Sequence, residues 1–214
     1  MKDKDFDPFD IFGAPGTEWG KLKMKLKTCP ETKYLEASEE IISLAKDVLP
    51  EKELAFAENI AKMLAGTRKS KELARNILMK LVSPRPKRPL FYLRHHLNYL
   101  PHWTRDPILH MGSYVDVLVK EMAFELSGDR NCLRWPLGKN LNRIKSLISP
   151  ELYDRLSRYN KFLYVPAKHD FEVPPEREHR FTPREVVLAI FVGMKLASEI
   201  KNISKMALEY SERG

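Results

Sequence analysis

Near its C-terminal end the chain carries a run that leaves little conformational choice. Thr182-Pro183-Arg184-Glu185 puts a hydroxyl at an N-cap, a proline at the first helical position and a glutamate three residues after the cap. This reciprocal arrangement satisfies two backbone N–H groups that a helix start leaves unpaired. Val187, Ile190, Met194, Ala197, Ile200 and Ile203 follow at helical intervals, lining up one apolar face. Such a face requires partners, and the same period recurs upstream.

Ser38-Glu39-Glu40 opens a segment in which Ile41, Ile42, Leu44, Ala45 and Val48 keep helical spacing. Pro50 suits the first position of the next helix, whose Leu54, Ala57, Ile60, Ala61 and Leu64 run to a stop at Gly66. A third helix is predicted over Lys71 to Val82 and a short one over Leu90 to Tyr99. Asp106-Pro107 reads as N-cap and first helical residue of a long helix whose Ile108, Met111, Val115, Leu118, Val119 and Met122 face one way until Ser127-Gly128 ends it. Two more helices are expected near Leu137 to Ile148 and Pro150 to Phe162, the second announced by Ser149-Pro150-Glu151, and a polar loop from Val165 to Arg180 precedes the last. The fold class expected is therefore all-α, a helical bundle.

The N-terminal part departs from this pattern. Lys21 to Lys27 alternates basic and apolar residues with period two, which favours an extended segment. No second strand of like quality exists to pair with it, so residues 1–35 are expected to form an extended basic and aromatic arm. Residues 36–83 would be a small helical region and residues 84–89 a linker, because prolines at 84, 86 and 89 remove backbone donors. Residues 90–214 would form the main bundle.

Composition narrows the function classes. No stretch approaches the roughly 18–20 apolar residues of a membrane span, and the charged start Met1-Lys2-Asp3-Lys4-Asp5 has no apolar run behind it; a cytoplasmic location without a membrane partner is expected. The two cysteines, Cys29 and Cys132, lack metal-ligand spacing, so neither disulfide nor metal is expected. Gly-rich phosphate loops, HExxH and GxSxG are absent, and no cofactor is expected. Glutamine is missing altogether while Lys and Glu abound, a balance resembling that of hyperthermophile proteins.

The formal charge of +8 favours an anionic partner. Between Arg68 and Arg105 ten basic residues face a single acid, Glu72, a net of +9. Phe91, Tyr92, Tyr99 and Trp103 are interleaved with them, the mixture a phosphate-backbone surface uses. Arg75, Arg85, Lys87, Arg88, Arg94, His179 and Arg180 are the candidate nucleic-acid-binding residues, and the expected partner is nucleic acid, RNA in the first instance, or an acidic protein. His95, His96, His102 and His110 are close in sequence, but adjacent helical side chains point about 100° apart, so a shared metal is not expected.

Arginine and histidine together suit metal-free RNA cleavage, with histidine moving the 2′-hydroxyl or leaving-group proton and arginine stabilising the phosphorane. Two pairs qualify: Arg158, followed by Asn160, Lys168 and His169, and Arg105 with His110. The stretch from about Tyr114 to Ile203 resembles the HEPN superfamily of small helical bundles. It has a long helix, a second opening at Leu137-Gly138-Lys139-Asn140-Leu141, a third ending in Arg158-Tyr159-Asn160, a loop with Lys168-His169 and a closing helix. That resemblance implies a homodimer with an Arg–His motif between subunits, acting as a metal-independent ribonuclease or as an RNA-binding module. On this reading Arg158 stabilises phosphate, His169 is acid or base, and Asn160 and Lys168 position substrate. The family sets histidine four to six residues after arginine, whereas His169 follows Arg158 by eleven. Arg105 and His110 keep the family spacing but open the first long helix of the matched region. The alternative is a non-enzymatic helical adaptor that binds nucleic acid through its basic surface.

Overall fold

The computed structural model describes residues 32–82, 87–169 and 180–211, with side chains described over 37–82, 87–169 and 180–205. The chain is all-α: α1 (Thr32–Val48), α2 (Glu51–Ala65), α3 (Arg68–Leu81), α4 (Arg88–Leu97), α5 (Arg105–Ser127), a three-ten turn (Arg130–Leu133), α6 (Leu137–Ile144), α7 (Pro150–Tyr159), a π turn (Asn160–Tyr164), α8 (Val165–His169) and α9 (Pro183–Ser211). No strand occurs among the described residues, and no helix there is long and apolar enough to cross a membrane.

The capping box at α9 forms as its sequence dictates. Glu185 N donates to Thr182 Oγ1 at 3.2 Å and Thr182 N donates to Glu185 Oε2 at 2.6 Å. From Val186 to Val192 every residue of α9 is buried, because the helix is packed on by α5, α1 and α2 together. Gly193 permits the closest approach: a Cβ there would lie 2.7 Å from Met111 Cγ of α5 and 2.8 Å from Tyr159 Oη of α7. One hydrophobic cluster runs from Ile41 on α1 to Ile200 on α9, so segments 36–83 and 90–214 share a core.

Several boundaries differ from expectation for identifiable reasons. Residues 32–35, assigned to the arm, continue α1 backwards; residues 1–31, including the Lys21–Lys27 alternation, lie outside the described residues. Arg88 and Pro89, assigned to the linker, form the first turn of α4, where a missing proline N–H costs nothing; residues 83–86 are outside the described residues. α5 begins at Arg105, with Thr104 rather than Asp106 at the cap position.

The largest correction concerns the polar loop expected from Val165. Residues 165–169 are helical, so Lys168 and His169 sit at the end of a helix, and residues 170–179 are not among those described. Pro166 lacks an N–H and its ring would crowd the carbonyl four residues back. The chain answers by widening just before it, with Val165 N donating to Asn160 O across a π turn. Tyr164 in that turn packs over Gly112 of α5, where a Cβ would collide with the ring.

Candidate nucleic-acid interface

Helix α4 has two faces of opposite character. Leu90, Leu93 and Leu97 are buried against α5. Residues between them must then face outward, and these are Phe91, Tyr92 and His95, with Tyr99 just beyond. Phe91 is 63% exposed, Tyr92 38%, Tyr99 40% and Trp103 51%. Four large aromatics left open to water on one helix and the turn after it are a costly arrangement for a surface without a partner.

The turn between α4 and α5 folds Trp103 back onto Tyr99, with Trp103 N donating to Tyr99 O at 3.3 Å. Their rings stack with centroids 4.5 Å apart and planes 21° from parallel. Arg75 of α3 fixes this turn by donating from Nη1 to Leu100 O at 2.9 Å. Tyr99 touches His95 and His96, at 5.5 Å and 6.3 Å. His96 lies 6.2 Å from Trp103 and 4.9 Å from His110. His110 in turn stacks on Tyr92 at 5.5 Å, and Tyr92 meets Phe91 edge-on at 5.7 Å. The result is a continuous belt of rings along the α4–α5 face. Arg88 adds a guanidinium 5.8 Å from the Tyr92 ring centroid.

One imidazole of the belt is shifted toward its neutral form. Burial, with His96 alongside, pushes the His110 imidazole below its ordinary value, and Asp106 opposes the shift. His96 Nδ1 is buried, 3.4 Å from Asp106 Oδ2, without hydrogen-bonding geometry. Among the described residues no group of three or more His, Cys, Asp or Glu side chains is placed to hold a metal ion.

The residues singled out from sequence fall into separate places. Lys87, at the N-cap position of α4, pairs at the surface with Glu121 of α5, and Arg75 is committed to the Leu100 carbonyl, so the two tie the ends of α4 to neighbouring helices. Arg88 and the half-buried Arg94 lie on α4 with the rings. Arg180 is exposed just before α9, while Arg85 and His179 are not among the described residues. Arg158 does not face a loop. Its guanidinium donates to Glu40, Ser43 and Asp47 of α1, with Asp154 3.7 Å away. Burial opposes the charge there, but the Asp47 hydrogen bond and the surrounding carboxylates outweigh it and raise the arginine further. Asn160 is half-buried at the start of the π turn. Lys168 is exposed, its ammonium 5.6 Å from the Tyr164 ring centroid.

Arg105 supplies the link between the two Arg–His pairs. Its Nε donates to Ala167 O at 2.8 Å, which brings the start of α5 against α8, two residues before the exposed His169. Sequence composition marks the aromatics beside the basic run, and their spacing carries the further signal that they form one belt with the histidines. Positions 91, 92, 95, 96 and 99 recur at three- and four-residue spacing opposite Leu90, Leu93 and Leu97, which places them on one outward helical face. No protein-family model matches this chain, and no curated protein or solved structure is significantly similar to it.

Proposed function

We propose that this chain binds single-stranded RNA on the α4–α5 face, with nucleobases stacking on the exposed rings of Phe91, Tyr92, Tyr99 and Trp103. The belt of rings carries the reading. Every base has a π-face, so a row of exposed aromatics beside an arginine takes successive bases without reading their sequence. Arg88 contributes charge, while Arg75 and Lys87 hold the platform in place rather than contacting phosphate. The resemblance to HEPN bundles directs the choice of RNA and extends to a dimer of chains.

The test is fluorescence anisotropy with a labelled single-stranded RNA hexamer. Trp103→Ala is expected to weaken binding by about 1–3 kcal/mol, the worth of one stacked base, and Phe91→Ala by a similar amount. Hexamer affinity indifferent to both substitutions would refute the stacking platform. Capture of an acidic protein without RNA binding would favour the adaptor reading instead.

A second reading, metal-independent cleavage of the bound RNA, is favoured by the Arg105–Ala167 contact, which draws the start of α5 to the helix bearing Lys168 and His169. The 2′-oxygen would attack the adjacent phosphorus, a histidine taking its proton, and the 5′-oxygen would leave with a proton to give a cyclic phosphate. Incubation in EDTA, with His169→Ala and His110→Ala beside wild type, checks this. Products lost in one variant while hexamer binding persists would assign the base; intact RNA in every lane would leave binding alone.

A further inference from the structure

A second cationic surface lies apart from the ring belt. From Arg130 to Lys145 the sequence holds five basic residues, Arg130, Arg134, Lys139, Arg143 and Lys145, and no acid. Helix α6 buries Leu137, Asn140, Leu141 and Ile144, and packs on α5, so its cations are forced outward. All five side chains are on exposed residues. Lys139 and Arg143 are one helical turn apart, about 6 Å along the axis, and Arg130 and Arg134 bracket the three-ten turn.

Several long cations elsewhere are neutralised: Lys87 by Glu121, Lys120 by Asp116, Arg158 by Glu40 and Asp47, Arg184 by Glu58. Here none of the five forms an ion pair with a described residue. The acid just before them, Asp129, accepts from the backbone N–H of Asn131 at 2.9 Å and serves the turn. Two of the cations are steered by rings: Lys139 Nζ lies 4.0 Å from the Trp135 ring centroid and Lys145 Nζ 5.1 Å from that of Tyr153. Five like charges held on rigid elements repel one another and are relieved by a polyanion. Trp135 is half-buried with Lys139 over its ring, so the face offers charge without the open rings that single-stranded bases require. A duplex presents that complement, with its bases enclosed and its phosphates outward.

We infer that the three-ten turn and α6 form a second nucleic-acid surface, which takes the phosphate backbone of a double-stranded segment without reading its bases. The inference does not rest on the ring belt. Its probe is a 20-base-pair RNA duplex, with binding measured across a salt series. Arg134→Gln/Arg143→Gln is expected to weaken duplex binding at least tenfold and to reduce the slope of log K against log salt by about 2, near one ion per phosphate contact. Arg130→Gln/Lys145→Gln is a second pair, should the first disturb α6, and circular dichroism checks both. A duplex slope unchanged in both pairs overturns the inference. So does wild-type binding to vesicles of 30% phosphatidylserine with no binding to duplex, which would make the face a membrane contact. Trp103→Ala read on the single-stranded hexamer tests the belt separately, so either surface can fail alone.

Discussion

Arg105 at the start of α5 holds the carbonyl oxygen of Ala167 in α8, 62 residues further along the chain, with a 2.8 Å bond from Nε. The bond fixes the short helix behind the π turn to the long helix that begins beneath the ring belt. A charged, part-buried hydrogen bond of this kind contributes about 1.5–3 kcal/mol. Arg105→Ala is expected to lower unfolding stability by roughly that amount, read as a shift in the urea midpoint at constant slope. An unchanged midpoint would show that α8 is held without it.

Gly193 tests how tightly α9 is seated. A methyl group there would meet Met111 and the Tyr159 hydroxyl, which donates to Ala189 O at 3.3 Å. Met111 can yield, but Tyr159 is fully buried and bonded. Gly193→Ala is expected to destabilise by about 1–3 kcal/mol, as overpacked cores do, against a small gain from helix propensity. A more stable variant by thermal melting would mean that the helix slides to make room.

The α9 cap should show a conventional loss. Thr182→Ala removes the acceptor for Glu185 N and is expected to cost about 1 kcal/mol, within the range of N-cap deletions. Differential scanning calorimetry of the variant checks it, and Thr182→Ser, which keeps the oxygen, is expected to restore most of the loss.

Arg158 separates scaffold from chemistry. With its guanidinium donating to three side chains of α1, Arg158→Ala is expected to lower stability by about 1–2 kcal/mol, the contacts being part-exposed and screened. Hexamer RNA affinity is expected to stay within twofold of wild type. A large loss of RNA binding by the folded variant would return Arg158 to the site.

The pH dependence has a definite sign. His110 titrates lower in the fold than its ordinary value of 6.5, so the unfolded chain takes up its proton first as pH falls. The resulting stabilisation is fully present above pH 6.5 and is lost as pH drops through the lowered folded value. His110→Phe keeps a ring against Tyr92 but cannot titrate. Paired denaturation curves at pH 7.5 and 5 are expected to show a larger acid loss in wild type than in this variant.

Helix identity was legible wherever a chemical signal was local. Thr182 and Glu185 specify the α9 cap, Ser149 and Pro150 the start of α7, and Gly128, at φ +68°, the end of α5. Buried stripes such as Ile108, Met111 and Val115 followed from spacing alone. What escaped was non-local. Pro166 reads as a breaker, since nothing nearby in sequence announces that a π turn will absorb it. Arg158 reads as a free cation, because Glu40 and Asp47 are more than a hundred positions away. The ring belt is half-visible: its aromatics stand out beside the basic run, but sequence spacing argues only against a metal at the histidines and does not show them as neighbours in a stack.

The position of α9 in chain order has a consequence for how this protein is made. It is the element that α1, α2 and α5 all pack upon, yet it follows every one of them. A ribosome delivering the chain releases three uncovered apolar faces before it supplies the helix that joins them. The α4–α5 and α5–α6 contacts can form as the chain emerges, but the part of the core that α9 covers closes late, once residues to about 200 have been made, and until then those faces depend on whatever shields them.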